Sequence, residues 1–416
     1  MTAKLRAAAS RSSMPPSTPA KTAAGLGYSI SLPDILYPST AEELRDALAS
    51  AGAAKHTVEL FGANTKHLMA GPVQPADVRI STSAMTRILQ YEPRDLTVSV
   101  EAGMPFAELN AQLAGNGQMV PLDGASQSNA TVGGMIAANT SGSRRRLYGT
   151  ARDHVIGMTF ATLDGKLVQS GGMVVKNVAG LDMAKLLIGS FGTLAAIATV
   201  NFKLTPRPPF SRTVLFECED VKTATAVRDA ALRSEWSPVA VDLLNPPLSA
   251  LLQLRGYVLV LSFAGNEAVI ERCLREAERL GPLRALSPEQ EASFWRALDG
   301  MTPVFLGDSG EGAVVRISTV LSDCGPALAG AKVPALAHAG NGVVRAWFRR
   351  PGEASEWLAE CGRRGWKGVI EYASDAARSS LTLWPEPGGD FVIMKQIKHM
   401  FDPEGLLNRG RFFSRF

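Results

Sequence analysis

The residues best suited to chemistry in this chain are small ones gathered around anion-binding signals. The segment from Asn129 to Asn139, NATVGGMIAAN, continues as SGSRRRLYGTARDHV to Val155. Gly133 and Gly134 carry no side chain to hold a cofactor phosphate away. With a helix predicted over Met135 to Ala138, their amides can point N–H dipoles at an anion. The same pair also suits a plain turn before a core helix. Upstream, Val58 to Phe61 reads as a short buried strand running into Gly62-Ala63-Asn64-Thr65-Lys66. Gly62 and Asn64 tolerate positive φ there, and Thr65 and Lys66 can donate to phosphate oxygens. Pro121-Leu122-Asp123-Gly124 makes a rigid turn between the two segments, and KNVAGLD (Lys176 to Asp182) and GSFGTL (Gly189 to Leu194) follow downstream. No glycine cluster has GxGxxG spacing, and no GxxxxGK[ST] loop occurs. The signals describe a nucleotide site of neither common kind.

Taken in order, FGANTK, PLDG, ATVGGMIAANTSG, LYGTARDHV, KNVAGLD and GSFGTLAAIATVNFKLTPRP resemble the FAD-binding domain of the vanillyl-alcohol oxidase type. The resemblance spans Tyr28 to Pro209. Within that family, RRR-x-YGTARDHVIG and KNVAGLDMAKL are most similar to the E-type flavin-binding subunits of bacterial glycolate oxidases. FDPEGLLNRGRF, from Phe401 to Phe412, resembles the family's closing segment. The chain departs from the pattern at Phe61 and Asn64, where an arginine and a glycine are usual, and at Phe191, where a glutamate is usual.

The resemblance implies FAD as cofactor, contacted by Gly62, Asn64, Thr65, Lys66, Pro121, Thr131, Gly133, Gly134, Ala137, Asn139, Gly142, Tyr148, Gly149, Gly192, Thr193 and Ile197. His67 lies beyond the position where bicovalent members attach their flavin, so non-covalent binding is expected. Related 2-hydroxy-acid dehydrogenases carry H-x-G-D-G-N-x-H in the substrate domain, where two histidines help hold a divalent metal. Here the stretch is His338-Ala339-Gly340-Asn341-Gly342-Val343-Val344-Arg345. One imidazole and a guanidinium make no metal site, so no metal is expected. His338 as base and Arg345 as carboxylate clamp are the catalytic candidates; the alternative is a tight turn with a hydrogen-bonded histidine. Arg316 and Arg349 are further clamp candidates. Among Arg144, Arg145 and Arg146, one can neutralise a diphosphate or meet a partner, while a solvated basic loop explains the rest. Asp153 and Asp182 are read as ties to backbone amides.

The implied activity is oxidation of a small 2-hydroxy acid, glycolate to glyoxylate, within a complex holding a D-type flavoprotein and an iron–sulfur subunit. Two alternatives stand beside it. One is an FAD-binding relay or structural subunit without turnover of its own, favoured by the degenerate HAGNGVVR stretch. The other is a stand-alone FAD oxidoreductase such as a nucleotide-sugar reductase, whose usual GIPGTVGGA start is SQSNATVGGM here.

Composition bounds these readings. With 416 residues, 46% apolar and 20% charged, the chain is an ordinary globular protein too long for one core. Its net charge of +4 makes no case for nucleic acid. Cys218, Cys273, Cys324 and Cys361 lie far apart, with no CxxC pair, as reduced thiols of a cytoplasmic protein do. No apolar run is long enough to span a membrane, so any attachment at the inner face runs through partner subunits. Residues 1–27, basic and rich in Ser and Pro, read as a disordered tail rather than a targeting peptide.

The elements that must position these residues follow from local signals. Thr40 and Glu43 form capping-box chemistry at a helix carrying Leu44, Ala47 and Leu48 inward. Extended segments are predicted at Val78 to Ser81, Ile88 to Tyr91 and Leu96 to Val100, and a helix from Met104-Pro105 to Leu113. Asp164-Gly165 marks a hairpin between Val155–Leu163 and Lys166–Gln169. Short strands and helices without a βαβ rhythm argue an α+β fold. The expected domains are FAD-binding 28–209, ending at the PRPP linker; a ferredoxin-like substrate or cap domain 210–385; and a C-terminal segment 386–416 returning to the first. No internal repeat is apparent.

Overall fold

A computed structural model describes residues 34–124, 129–174, 181–413 and 416. The expected tail (1–27), the start of the expected flavin domain (28–33), Ser126 to Ser128, and Lys176 to Gly180 of KNVAGLD lie outside the described residues.

After β1 (Ile35–Leu36), helix α1 (Ala41–Ala53) starts where Thr40 accepts the Glu43 amide at 3.1 Å. The Glu43 carboxylate turns back to the amide and hydroxyl of Ser39, one residue before the cap. Leu44, Leu48 and Ala51 pack into one cluster with Val58 and Ile80. Those two belong to β2 (Val58–Phe61) and β3 (Val78–Ser81), which run parallel with β1 in a three-stranded sheet. A five-stranded sheet follows, in the order β4-β5-β9-β7-β8. Its first hairpin joins β4 (Ile88–Glu92) to β5 (Thr97–Glu101); Leu96 ends the turn at φ 54° instead of starting the strand. Then come α2 (Phe106–Ala114), β6 (Gln118–Met119), α3 (Val132–Ala138), α4 (Arg145–Tyr148) and α5 (Ala151–His154). The hairpin of β7 (Val155–Ala161) and β8 (Leu167–Gly171) turns at Asp164-Gly165, with Gly165 at φ 77°. Helix α6 (Ala184–Leu187) and β9 (Ala196–Lys203) complete this part, and β10 (Thr205–Pro206) pairs with β6.

Beyond Pro209 a single eight-stranded antiparallel sheet takes over. Its first half runs β11 (Phe210–Cys218), α7 (Val221–Arg233), β12 (Ala240–Leu244), α8 (Pro246–Leu251), β13 (Tyr257–Gly265), α9 (Glu267–Ala277) and β14 (Arg284–Ala285). After α10 (Pro288–Asp299) and α11 (Met301–Ser309), the second half runs β15 (Ala313–Ser318), α12 (Cys324–Gly330), β16 (Ala335–His338), β17 (Val343–Phe348), α13 (Pro351–Arg363) and β18 (Lys367–Ala373). The sheet order β14-β11-β13-β12-β16-β17-β15-β18 is two ferredoxin-like units joined edge to edge through β12 and β16. The sequence pattern carries most of the first unit and no visible repeat, whereas the topology is doubled.

Strand alternation sorts the two faces of this sheet. Val241, Leu243, Ala337, Val344, Ala346, Val315 and Ile370 point toward the helices α7, α9, α12 and α13. The opposite face packs Leu244, Leu336, Trp347, Val314 and Tyr372 against Met69, Ala138 and, at its edge, Phe191 from the first part of the chain. Asp242, His338, Arg345 and Arg316 are one residue out of step with the helix-facing set, so they share that second face.

Helices α14 (Asp375–Arg378) and α15 (Phe391–Phe401) lead into a segment that rejoins the first sheet. The Val58 amide donates to the Leu406 carbonyl, and the Asn408 amide to the Val58 carbonyl, each at 2.9 Å. Lys398 fixes the approach. Its buried ammonium donates to Asp402 at 2.5 Å and to the Thr193 carbonyl at 2.7 Å, while Asp402 accepts the amides of Leu406 and Leu407 at 2.8 Å. Removing one member of a buried pair strands the other charge. Asp402→Ala is therefore expected to destabilise the protein by about 3–5 kcal/mol, measured as the shift of the urea unfolding transition. A loss below about 1 kcal/mol would show the pair to be replaceable by water.

Candidate functional site

The loop after β2 and helix α3 wall a cleft of about 290 Å³. Gly62, Asn64, Thr65, Lys66, Thr131, Gly133, Gly134, Ala137, Gly192 and Ile197 line it. Asn64 stands at φ 55°, the left-handed conformation its side chain tolerates. Gly62 does not take positive φ. A Cβ there would lie 2.2 Å from the Thr131 hydroxyl, so glycine serves close approach between loop and helix.

Helix α3 starts at Val132, earlier than the sequence suggested, and both glycines lie in its first turn. Their amides are also engaged. Gly133 N–H donates to the Ala102 carbonyl at 2.7 Å, and Gly134 N–H to the Thr131 hydroxyl at 3.2 Å. A Cβ on Gly133 would sit 2.8 Å from the Ala102 Cβ. Gly133 thus packs α3 against the residue after β5, Gly134 meets only the Thr131 cap, and the expected fan of free amide dipoles is absent at these two residues. Positive charge reaches the cleft by side chain instead. Lys66 is buried and its ammonium has no hydrogen-bond partner. An orphaned buried cation beside a glycine-shaped wall fits an anionic dinucleotide.

Six of the predicted contacts lie off the cleft lining. Pro121 is buried in a turn whose Asp123 accepts the Gly142 and Arg144 amides at 2.8 and 2.7 Å. Asn139 ends α3 at φ 48°. Burial raises the pKa of the Tyr148 hydroxyl, and the Tyr148 carbonyl accepts from the His154 ring at 2.7 Å. Gly149 ends α4 at φ 82°, and the Thr193 hydroxyl donates to the Ser190 carbonyl at 2.7 Å. Arg144 and Arg145 are exposed, whereas Arg146 crosses to the Pro238 carbonyl at 2.7 Å. Asp153 and Asp182 accept the amides of Thr150 and Lys185. His67 Nδ1 donates to the Asn64 carbonyl at 2.9 Å.

The catalytic candidates stand on the second face of the large sheet, within a continuous polar network. Arg345 donates to Glu371 at 2.7 Å from Nε, to His338 Nε2 at 2.8 Å from Nη1, and to the Ser141 carbonyl at 3.1 Å from Nη2. A guanidinium only donates, so His338 Nε2 must accept, and its proton sits on Nδ1, 2.9 Å from Asp242. The Ser143 hydroxyl also donates to Asp242, and Arg316 reaches Glu371 at 3.1 Å. The structure therefore brings His338 and Arg345 together and engages both ring nitrogens of His338 and all three guanidinium nitrogens of Arg345. Arg349 stacks over Phe305, 5.5 Å from the ring centre. Sequence reasoning missed Asp242, Ser143 and Glu371. A lone acid inside an apolar strand, as in VAVDLL and VIEYA, is the signal that marks the two carboxylates.

Burial acts to raise the Glu371 pKa, but the Arg345 and Arg316 guanidiniums outweigh it and hold it below the ordinary carboxylate value. A lowered carboxylate stabilises the fold above its unfolded pKa, about 4.3 for Glu, and that contribution disappears as pH falls through the folded value. Glu371→Gln should thus be less stable than the natural chain at pH 7, with the gap closing below about pH 4. Urea midpoints of both proteins across pH 3.5–7 check this; a gap independent of pH would contradict the charge assignment.

Comparison with known proteins agrees with this geometry. A family model described as FAD binding domain matches residues 34–171. The chain is 28% identical over 365 residues to glycolate oxidase subunit GlcE of Escherichia coli (strain K12), covering 86% of this chain and 93% of that one. It is 25% identical over 421 residues to D-2-hydroxyglutarate dehydrogenase of Xanthomonas citri pv. viticola, covering 91% and 89%. In fold it is similar to p-cresol methylhydroxylase, solved with substrate bound, at TM-score 0.71 and 16% identity over 92% of this chain and 88% of that one. Alkyldihydroxyacetonephosphate synthase shares the fold at TM-score 0.69 and 18% identity, over 90% and 76%. The cleft, the α+β architecture and these matches agree: residues 34–171 are an FAD-binding domain, the chain shares its fold with these flavoenzyme structures, and its cofactor is FAD.

Proposed function

We propose that the chain is the FAD-binding subunit of a complex that oxidises a small 2-hydroxy acid, with glycolate to glyoxylate as the reaction. In this reading residues 28–209 and 386–416 form the flavin unit and 210–385 the substrate unit. Like-length similarity to a glycolate oxidase subunit supports it, and the hydrogen-bonded network around Arg345 refines it. Bound FAD supplies the acceptor for the hydride that leaves the substrate carbon. Gly62, Asn64, Thr65 and Lys66 on one wall, with Thr131, Gly133, Gly134 and Ala137 on the other, would hold it non-covalently.

The observation that carries the refinement is the hydrogen bond from Arg345 to His338 Nε2. While it persists, the imidazole has no open lone pair to take the substrate's hydroxyl proton, and the guanidinium is already paired with Glu371. The chain's own residues bind and orient; they are poorly placed to move a proton. Full turnover then depends on a D-type flavoprotein and an iron–sulfur subunit in a cytoplasmic complex. The relay reading, in which this chain only passes electrons, shares that observation. A stand-alone 2-hydroxy-acid dehydrogenase is favoured by the match to D-2-hydroxyglutarate dehydrogenase across most of its length.

Acid precipitation is expected to release all yellow colour into the supernatant, and colour left in the pellet would mean a covalent link. Anaerobic mixing of the isolated flavoprotein with millimolar glycolate separates the other readings. A positioned acid–base group is worth about 10²–10⁴ in rate, so bleaching should be slower by such a factor than in the assembled complex. Bleaching within milliseconds to seconds by the isolated chain would make it a competent dehydrogenase.

A further inference from the structure

Three cations, Lys66, Arg378 and Arg411, line the cleft together with two carboxylates, Glu59 and Asp375, each of which is already paired with an arginine. Lys66 is 6% exposed, and its ammonium is unpartnered. Burial pushes its pKa down to about 8, with Asp299 acting in the opposite sense. Arg378 is 7% exposed; it donates to the His67 carbonyl at 2.5 Å and pairs with the exposed Asp375, yet its Nε finds no partner. Arg411 donates to the same His67 carbonyl at 3.1 Å and to the Lys66 carbonyl at 2.5 Å. Burial first, then the neighbouring Arg378, brings its pKa down to about 10. Glu59 also lines the cleft, but Arg79 holds it at 2.5 Å.

These cations come from three distant places: the loop after β2, helix α14 beyond β18, and the C-terminal segment. A buried ammonium without a partner works against folding, so its retention points to a ligand that supplies the missing charge. We infer that Lys66, Arg378 and Arg411 form one seat for the diphosphate of FAD, so that cofactor binding ties the end of the second ferredoxin-like unit and the C-terminal segment to the loop after β2. The inference rests on the reading that FAD occupies this cleft. Charge-assisted bonds from guanidinium and ammonium to phosphate oxygens are the strong kind, and here two of the three side chains that would make them are buried.

Lys66 gives the sharpest test, because its ammonium makes no bond within the protein. In the full chain stripped of flavin, Lys66→Met should leave the unfolding temperature unchanged or raised. The same variant should weaken FAD about tenfold or more. Riboflavin, which has the ring system and no phosphate, should bind the variant and the natural chain alike. Lys66→Arg should recover most of the FAD affinity, and Arg378→Gln and Arg411→Gln should weaken FAD while sparing riboflavin. Titration by flavin fluorescence and thermal unfolding read all of these. Equal losses for riboflavin and FAD, or a Lys66→Met chain that is destabilised yet binds FAD normally, would overturn the seat. So would variants that keep FAD but lose a hydroxy acid, which would assign the cations to a substrate carboxylate. If the natural chain bound no FAD, the underlying reading of the cleft would fall, and the seat with it.

Discussion

The guanidinium of Arg345 is the interaction on which the arrangement of the protein turns. It sits on the face of the large sheet that meets the first part of the chain, bonded to His338 on the neighbouring strand β16, to Glu371 on β18 across the intervening β15, and to the Ser141 carbonyl across the interface. A charge taken out of water holds only where its partners meet it in good geometry, and loss of any one leaves another uncompensated. That condition fixes the register of β16 against β17, the tautomer of His338 through Asp242, and the position of the loop after α3. It also bears on the chemistry, since a histidine with both ring nitrogens bonded has none open for a substrate's proton.

The cleft beside it shows the opposite economy. Lys66 and Arg378 keep polar atoms buried and unpartnered, while the amides of the glycine pair are spent within the protein, Gly133 on Ala102 and Gly134 on the Thr131 cap. Two neighbouring regions of one fold therefore divide the labour: the sheet face is closed and self-satisfied, and the cleft is left electrically incomplete. A protein that leaves charge unanswered where its FAD binds and satisfies it elsewhere has this distribution.

Local structure was legible wherever short-range chemistry determines it. Thr40 and Glu43 marked the start of α1, Asp164-Gly165 marked the β7–β8 hairpin, and Asn64 was identified as a left-handed position. The start of α3 was misread because two glycines are poor helix formers, and tertiary packing against Ala102 overrides that propensity. The doubled ferredoxin-like unit escaped notice because α12 is short and the joining pair of β12 and β16 is a long-range contact without a local signal. Arg378 and Arg411 were invisible for the same reason: each reaches the loop after β2 from more than 300 positions away. Motif resemblance identified the cofactor, while periodicity alone gave only an α+β chain.

Amide hydrogen exchange of the full chain with and without FAD tests the central claim most directly. The account predicts strong added protection in residues 62–67, 131–138, 191–193, 375–378 and 408–411, with β12, β16 and β17 already slow in the flavin-free chain. Protection confined to the first two segments would leave the C-terminal part untouched by the cofactor. Fast exchange in β16 and β17 without FAD would contradict a sheet face held closed by Arg345.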